Sequence, residues 1–273
     1  MIYKMHAYLS FVSLLLILTG CATSQIGSSL KKEEKYYVIL MGGQSNMEGV
    51  GNVRELRVAT LPDNIHYANF GMSPDFSQDT MSFGPEVGLS RVLHQQFPDA
   101  NFLLIKYAIG GASLLDWAPD YDSTEAVITG HPEFGNMYDS LWAKVDNITT
   151  GYVTETIAFL WMQGERDARI PEAGIDYYSH FKTFIEAIRQ DAALLNLPII
   201  FGLVNPDPER YTAVTTVQTA QRDIARTINN VWMIDTSDLG KWDDQVHYNT
   251  QGQLELGRRF GETLLEHWAK PSP

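Results

Sequence analysis

The stretch YYVILMGGQSNMEG, residues 36–49, decides the fold. Tyr36–Met41 is an uncharged run rich in β-formers, and apolar residues at consecutive positions suit a strand covered on both faces. Two glycines follow, then Gln44-Ser45-Asn46, a polar opening for a helix. A strand, a tight turn and a helix start form the unit from which parallel sheets are built.

Outward from this unit the pattern repeats. Apolar runs recur at Phe102–Ala108 (FLLIKYA), Thr156–Met162 (TIAFLWM), Ile199–Val204 (IIFGLV) and Val231–Ile234 (VWMI), with a weaker candidate at Ile65–Phe70. Amphipathic stretches between them predict helices over Pro85–Gln96, Asn136–Asn147, Ala173–Leu195, Thr212–Ile228 and Thr250–Trp268. Pro85 and Pro171 fall where a helix begins, because the first helical position loses nothing by lacking an amide hydrogen. No composition break or internal repeat divides this body, so the reading is one α/β domain over 36–270. It is doubly wound, with a central, mainly parallel five-stranded sheet and long loops at Gly71–Gly84 and Leu114–Pro132.

Ligands of open parallel sheets bind beyond the carboxyl ends of the strands. The first run ends in Gly42-Gly43-Gln44-Ser45, the second in Gly110-Gly111-Ala112-Ser113, the third in Gln163-Gly164-Glu165, and Asp244-Gln245-Val246-His247 follows the last. Ser45, exposed on a glycine-flanked turn, fits a nucleophile. His247 fits its base, and Asp244, three residues earlier, can reach the imidazole Nδ1 hydrogen. The amides of Ser45 and Gly111 and the side-chain NH₂ of Gln163 can supply three donors to an oxyanion. Taken singly, each also fits a structural role: a helix cap, a plain turn or a solvated Asp–His pair.

Composition narrows the field. The 273 residues are 44% hydrophobic and 19% charged, which excludes disorder and low complexity. A net charge of −13 repels phosphate backbones, so no nucleic-acid partner is expected. Seven scattered histidines show no zinc spacing, and neither a Walker loop nor a dinucleotide fingerprint follows any strand, so no metal or cofactor is expected.

The first twenty residues read as an export signal. Lys4 supplies the positive start, and Ala7–Leu18 is an apolar run too short to span a bilayer comfortably. Leu18-Thr19-Gly20-Cys21 resembles the lipobox of bacterial lipoproteins, which implies lipidation at Cys21. The expectation is a lipoprotein signal over 1–20 and a lipidated cysteine with a flexible tether over 21–35. The protein would then be an exported bacterial lipoprotein held at a membrane through that anchor. Removing residues 1–20 takes away one counted charge, Lys4, and leaves −14.

The combination GQSNMEG, KYAIGGASL, WMQGERDA and DQVHYNTQG resembles the carbohydrate acetylesterase branch of the SGNH-hydrolase superfamily, which holds sialate O-acetylesterases and acetyl xylan esterases of carbohydrate esterase family six. The resemblance runs from about Tyr36 to Trp268 and implies a flavodoxin-like three-layer α/β/α sandwich. It further implies a metal-free serine esterase acting on an acetylated carbohydrate; the strong negative charge of the body makes neutral acetylated xylan the first expectation and O-acetyl sialic acid the second. By position it makes Ser45 the nucleophile, His247 the base, Asp244 the orienting carboxylate, and Gly111 and Gln163 oxyanion donors. Superfamily members generally carry Asn where Gln163 stands here, and Glu165 is an alternative triad carboxylate or a substrate contact. A non-catalytic glycan-binding lipoprotein on the same fold is the competing reading, and a lipase or thioesterase a third.

Overall fold

The structure is a computed structural model that describes residues 30–58, 60–70 and 82–268. Six strands form one parallel sheet: β1 (Lys35–Gly43), β2 (Ile65–Phe70), β3 (Asn101–Ala108), β4 (Val153–Met162), β5 (Ile199–Gly202) and β6 (Val231–Ile234). Their order across the sheet is β2-β3-β1-β4-β5-β6. The sheet therefore has six strands where five were expected, because Ile65–Phe70 pairs with β3 as an edge strand. An edge strand is covered less completely, and Tyr67, Asn69 and Phe70 of this one are only partly buried where the central runs are dry.

The central strands are buried along almost their whole length. Val38 to Met41 of β1, Phe102 to Ile105 of β3 and Ala158 to Met162 of β4 have at most 0% of their surface exposed. Such runs hold every backbone amide and carbonyl in ladder bonds while both faces are dry.

Helices cover both faces. The longer ones are α2 (Glu86–Gln96), α3 (Met137–Thr149), α5 (Tyr177–Asp191), α6 (Val214–Thr227) and α7 (Thr250–His267); α1 (Ser45–Glu48) and α4 (Glu165–Arg169) are single turns at the carboxyl edge of the sheet. On one face Trp268, just after α7, packs edge-on against Phe102, Tyr37 and Phe97, the last just after α2. On the other, Phe184 of α5 lies 4.6 Å from Trp161 of β4 and 6.0 Å from Tyr138 of α3. Three layers result, α/β/α, as the resemblance implied.

Two segments differ from expectation. The predicted helix over Ala173–Leu195 is two helices, Pro171–Ile175 and α5, broken at Asp176, whose φ of −97° and ψ of 12° leave the α-helical region. Gly174 lets the first piece close onto the start of α6: a β-carbon there would meet that of Ala213 at 3.1 Å. The Leu114–Pro132 loop is not loose: Trp117 is fully buried against Trp161 and Tyr107, and a helical turn over Ser123–Ala126 sits within it. The expected signal, Cys21 and most of the tether precede the described residues, as most of the Gly71–Gly84 loop falls outside them.

Candidate active site

Gly43 of β1 pairs with Ala108 of β3 and with Met162 of β4, so three strands end level and their following turns meet. At Gly43 the backbone has φ of 150°, and a β-carbon would stand 2.1 Å from the Met162 carbonyl oxygen. Glycine alone lets β1 leave the sheet here and start α1 at Ser45.

Ser45 is 3% exposed, and its Oγ lies 2.9 Å from His247 Nε2. His247 Nδ1 lies 2.6 Å from Asp244 Oδ2. Asp244 Oδ1 accepts the amide hydrogens of Val246 (2.9 Å) and His247 (3.0 Å). Burial pushes the Asp244 carboxyl up, yet those amides and the imidazole together hold it below the usual carboxylate range. The three side chains, 202 residues apart at the extremes, thus form one hydrogen-bonded chain.

Asn46 fastens this chain to the sheet. Its Nδ2 donates to Glu165 Oε1 (2.6 Å) and to the Val246 carbonyl (3.1 Å), while its Oδ1 accepts the Tyr248 amide (3.0 Å). The residue after Ser45 therefore clamps the loop that carries His247. Nothing in the sequence marked Asn46 except its place beside Ser45.

Glu165 is engaged by Asn46, and Asp244, not Glu165, meets His247. Burial pushes the Glu165 carboxyl above its usual range, and its Oε2 has no partner among the described residues.

Gln163 is held by the interior as well as by its place after β4. It is fully buried, and its side-chain NH₂ donates to Asp167 Oδ2 and to the Ala112 carbonyl (3.1 Å), while its Oε1 accepts from the Tyr177 hydroxyl (3.1 Å). Burial pushes the Asp167 carboxyl up to about 7. A buried carboxyl four residues on, inside α4, takes up one hydrogen of this amide. The amides of Ser45 and Gly111 have no acceptor among the described residues. The Gly111 backbone has φ of 81°, a left-handed conformation that turns its N–H out of the strand direction.

The turn bearing Gly111 is fixed from α1: the Gly110 amide donates to Glu48 Oε2 at 2.7 Å. Lys106 of β3 is 1% exposed and paired inside, its Nζ donating to the Glu48 carbonyl (2.6 Å) and to Glu86 Oε2 (2.9 Å). A buried ammonium must be matched by a carboxylate, and Glu86 supplies it beneath the site rather than in it.

Ser45, His247 and Gly111 open onto a cavity of about 540 Å³. His131, Tyr211, Arg166 and Arg169 line its other walls. Arg166 also donates to the Thr129 carbonyl, which ties the loop before His131 to α4. Among the described residues no three His, Cys, Asp or Glu side chains gather as a metal site would require.

The parallel α/β/α sandwich thus joins a serine, a histidine and an aspartate at its carboxyl edge. Residues 35–266 match the family described as carbohydrate esterase, sialic acid-specific acetylesterase, and the chain belongs to that family. No curated protein matches the sequence significantly. Among solved structures, a protein of Arabidopsis thaliana aligns at a TM-score of 0.68 with 20% identity, covering 85% of this chain and 99% of its own. NanS aligns at 0.66 with 14% identity, over 87% of this chain and 98% of its own. A carbohydrate acetylesterase from Xanthomonas citri aligns at 0.64 with 16% identity, over 82% of this chain and 55% of its own. At these identities the likenesses show the fold.

Proposed function

We propose that this carbohydrate esterase removes O-acetyl groups from sugar hydroxyls through an acyl-enzyme on Ser45. The observation that carries the reading is the unbroken hydrogen-bonded chain from Ser45 Oγ through His247 to Asp244, facing an open cavity. His247 Nε2 takes the Oγ proton as Oγ bonds to the acyl carbon, and Asp244 stabilises the imidazolium that forms. The carbonyl oxygen becomes an oxyanion bound by the Ser45 and Gly111 amides, at the positive end of α1. The carbon–oxygen bond to the sugar then breaks, and the sugar oxygen leaves with the proton from Nε2. Water, deprotonated by His247, repeats the sequence, releasing acetate and free Ser45.

The family description supports O-acetyl sialic acid as the sugar, and Arg166 and Arg169 on the cavity wall support an anionic one. Acetylated xylan is the neutral alternative. The test is kcat/KM on acetyl, butyryl and octanoyl nitrophenyl esters, followed by acetate release from O-acetyl sialic acid and from acetylated xylan. Acetyl is expected to be preferred. Preference for octanoyl, or no acetate from either glycan, would overturn the reading. Failure of Ser45 to react with a fluorophosphonate would favour the non-catalytic glycan-binding alternative.

The chain is further proposed to be exported and anchored through a lipidated Cys21, on the apolar run that ends beside that residue. Cys21→Ala is then expected to move the protein from the detergent-requiring fraction to the soluble one. A variant that still needs detergent after its signal is removed would rule the anchor out.

A further inference from the structure

The cavity holds a second histidine–carboxylate pair that the proposed mechanism does not use. His131 Nδ1 lies 3.0 Å from Glu133 Oε1, and both residues line the cavity. The imidazole stacks on Phe134, another wall residue, with ring centroids 4.7 Å apart and planes 11° from parallel. At its Nε2–Cδ2 edge the ring meets Gly111: Nε2 is 3.3 Å from the place a Gly111 β-carbon would take, nearer than any other atom there. Pinned by a carboxylate, a stacked ring and the Arg166-tethered loop before it, this imidazole presents one fixed edge beside the proposed oxyanion donor.

The proton arrangement sets what that edge can do. His131 holds the Glu133 carboxyl below its usual range through their hydrogen bond, so the carboxylate is an acceptor and Nδ1 carries the hydrogen. In the neutral ring Nε2 then offers a lone pair to the cavity. The neighbouring amides of Ser45 and Gly111 can only donate. A ligand matching both has an acyl oxygen beside a hydroxyl, which is what a partly acetylated sugar presents.

We infer that His131 is a specificity-determining residue whose Nε2 accepts a hydrogen bond from a free sugar hydroxyl next to the acetyl ester. This rests on the carbohydrate reading above and adds the contact that separates sugar esters from simple ones. Phe134 holds the ring, and Glu133 fixes its tautomer.

The test compares wild type with His131→Phe, which keeps the stack and removes the acceptor, and with His131→Gln, which restores one. Each is assayed on a mono-O-acetylated methyl glycoside, on its analogue lacking the adjacent hydroxyl, and on 4-nitrophenyl acetate. His131→Phe should lower kcat/KM for the sugar ester about 3- to 10-fold, the worth of one neutral hydrogen bond, chiefly through KM. The deoxy analogue and 4-nitrophenyl acetate should change less than about twofold, with His131→Gln recovering part of the sugar-ester loss. Equal losses on all three esters, or none on the sugar ester, would overturn the assignment. If wild type hydrolyses 4-nitrophenyl acetate but no sugar ester, the carbohydrate reading itself falls, an outcome visible before any variant is made.

Discussion

Ser45→Ala is expected to lower kcat for 4-nitrophenyl acetate by about 10³- to 10⁶-fold, with His247→Ala costing a similar amount and the double variant little more than either. Residues that move one proton in concert fail as a unit, so their losses do not add. The residual rate would come from the amides of Ser45 and Gly111 and from binding in the cavity. Neither change should threaten the fold. The serine hydroxyl donates toward a partly buried imidazole, and Asp244 keeps two amide donors from its own turn when the imidazole is gone. Far-ultraviolet circular dichroism and a melting temperature within a few degrees of wild type check this. A Ser45→Ala enzyme retaining more than a tenth of its turnover would place the nucleophile elsewhere.

Asp244→Asn is expected to cost about 10³- to 10⁴-fold in kcat, the scale on which losing the orienting carboxylate acts in such arrays. An amide at that position cannot stabilise the imidazolium, and its NH₂ turned toward Nδ1 would favour the wrong tautomer of His247. Glu165→Gln should cost far less, within about tenfold, because its remaining oxygen still accepts from Asn46 and no catalytic proton passes through it. Both carboxylates lie at the same sheet edge, and the difference between them is geometric: 2.6 Å from Asp244 to the imidazole, against a bond from Glu165 to Asn46. Folded variants showing the reverse order would transfer the orienting role to Glu165.

Much of this was written in the chain. The apolar runs at Tyr36, Phe102, Thr156, Ile199 and Val231 each became a parallel strand, because dry faces on both sides demand uninterrupted apolar sequence. The turns after the strands converge because parallel strands all point one way, which is why Ser45 and His247 could be paired across the chain from motif order. What stayed illegible depends on directions in three dimensions. Gln163 follows its strand as expected, but where its amide points is decided by Asp167 and Tyr177, which no spacing reveals. His131 looked like one scattered histidine among seven. The length of its loop was the one hint, since long loops in compact domains usually serve function. The break at Asp176 likewise depends on how closely Gly174 can approach Ala213.

The direction of β1 also sets which way the molecule faces. The chain enters that strand at Lys35 and reaches Ser45 just beyond its far end, about 30 Å away at the usual rise per residue. A tether from Cys21, as proposed, would therefore join the domain at the end of β1 opposite the mouth, with the length of the strand between the point of attachment and Ser45, so that a chain holding the domain need not pass the opening.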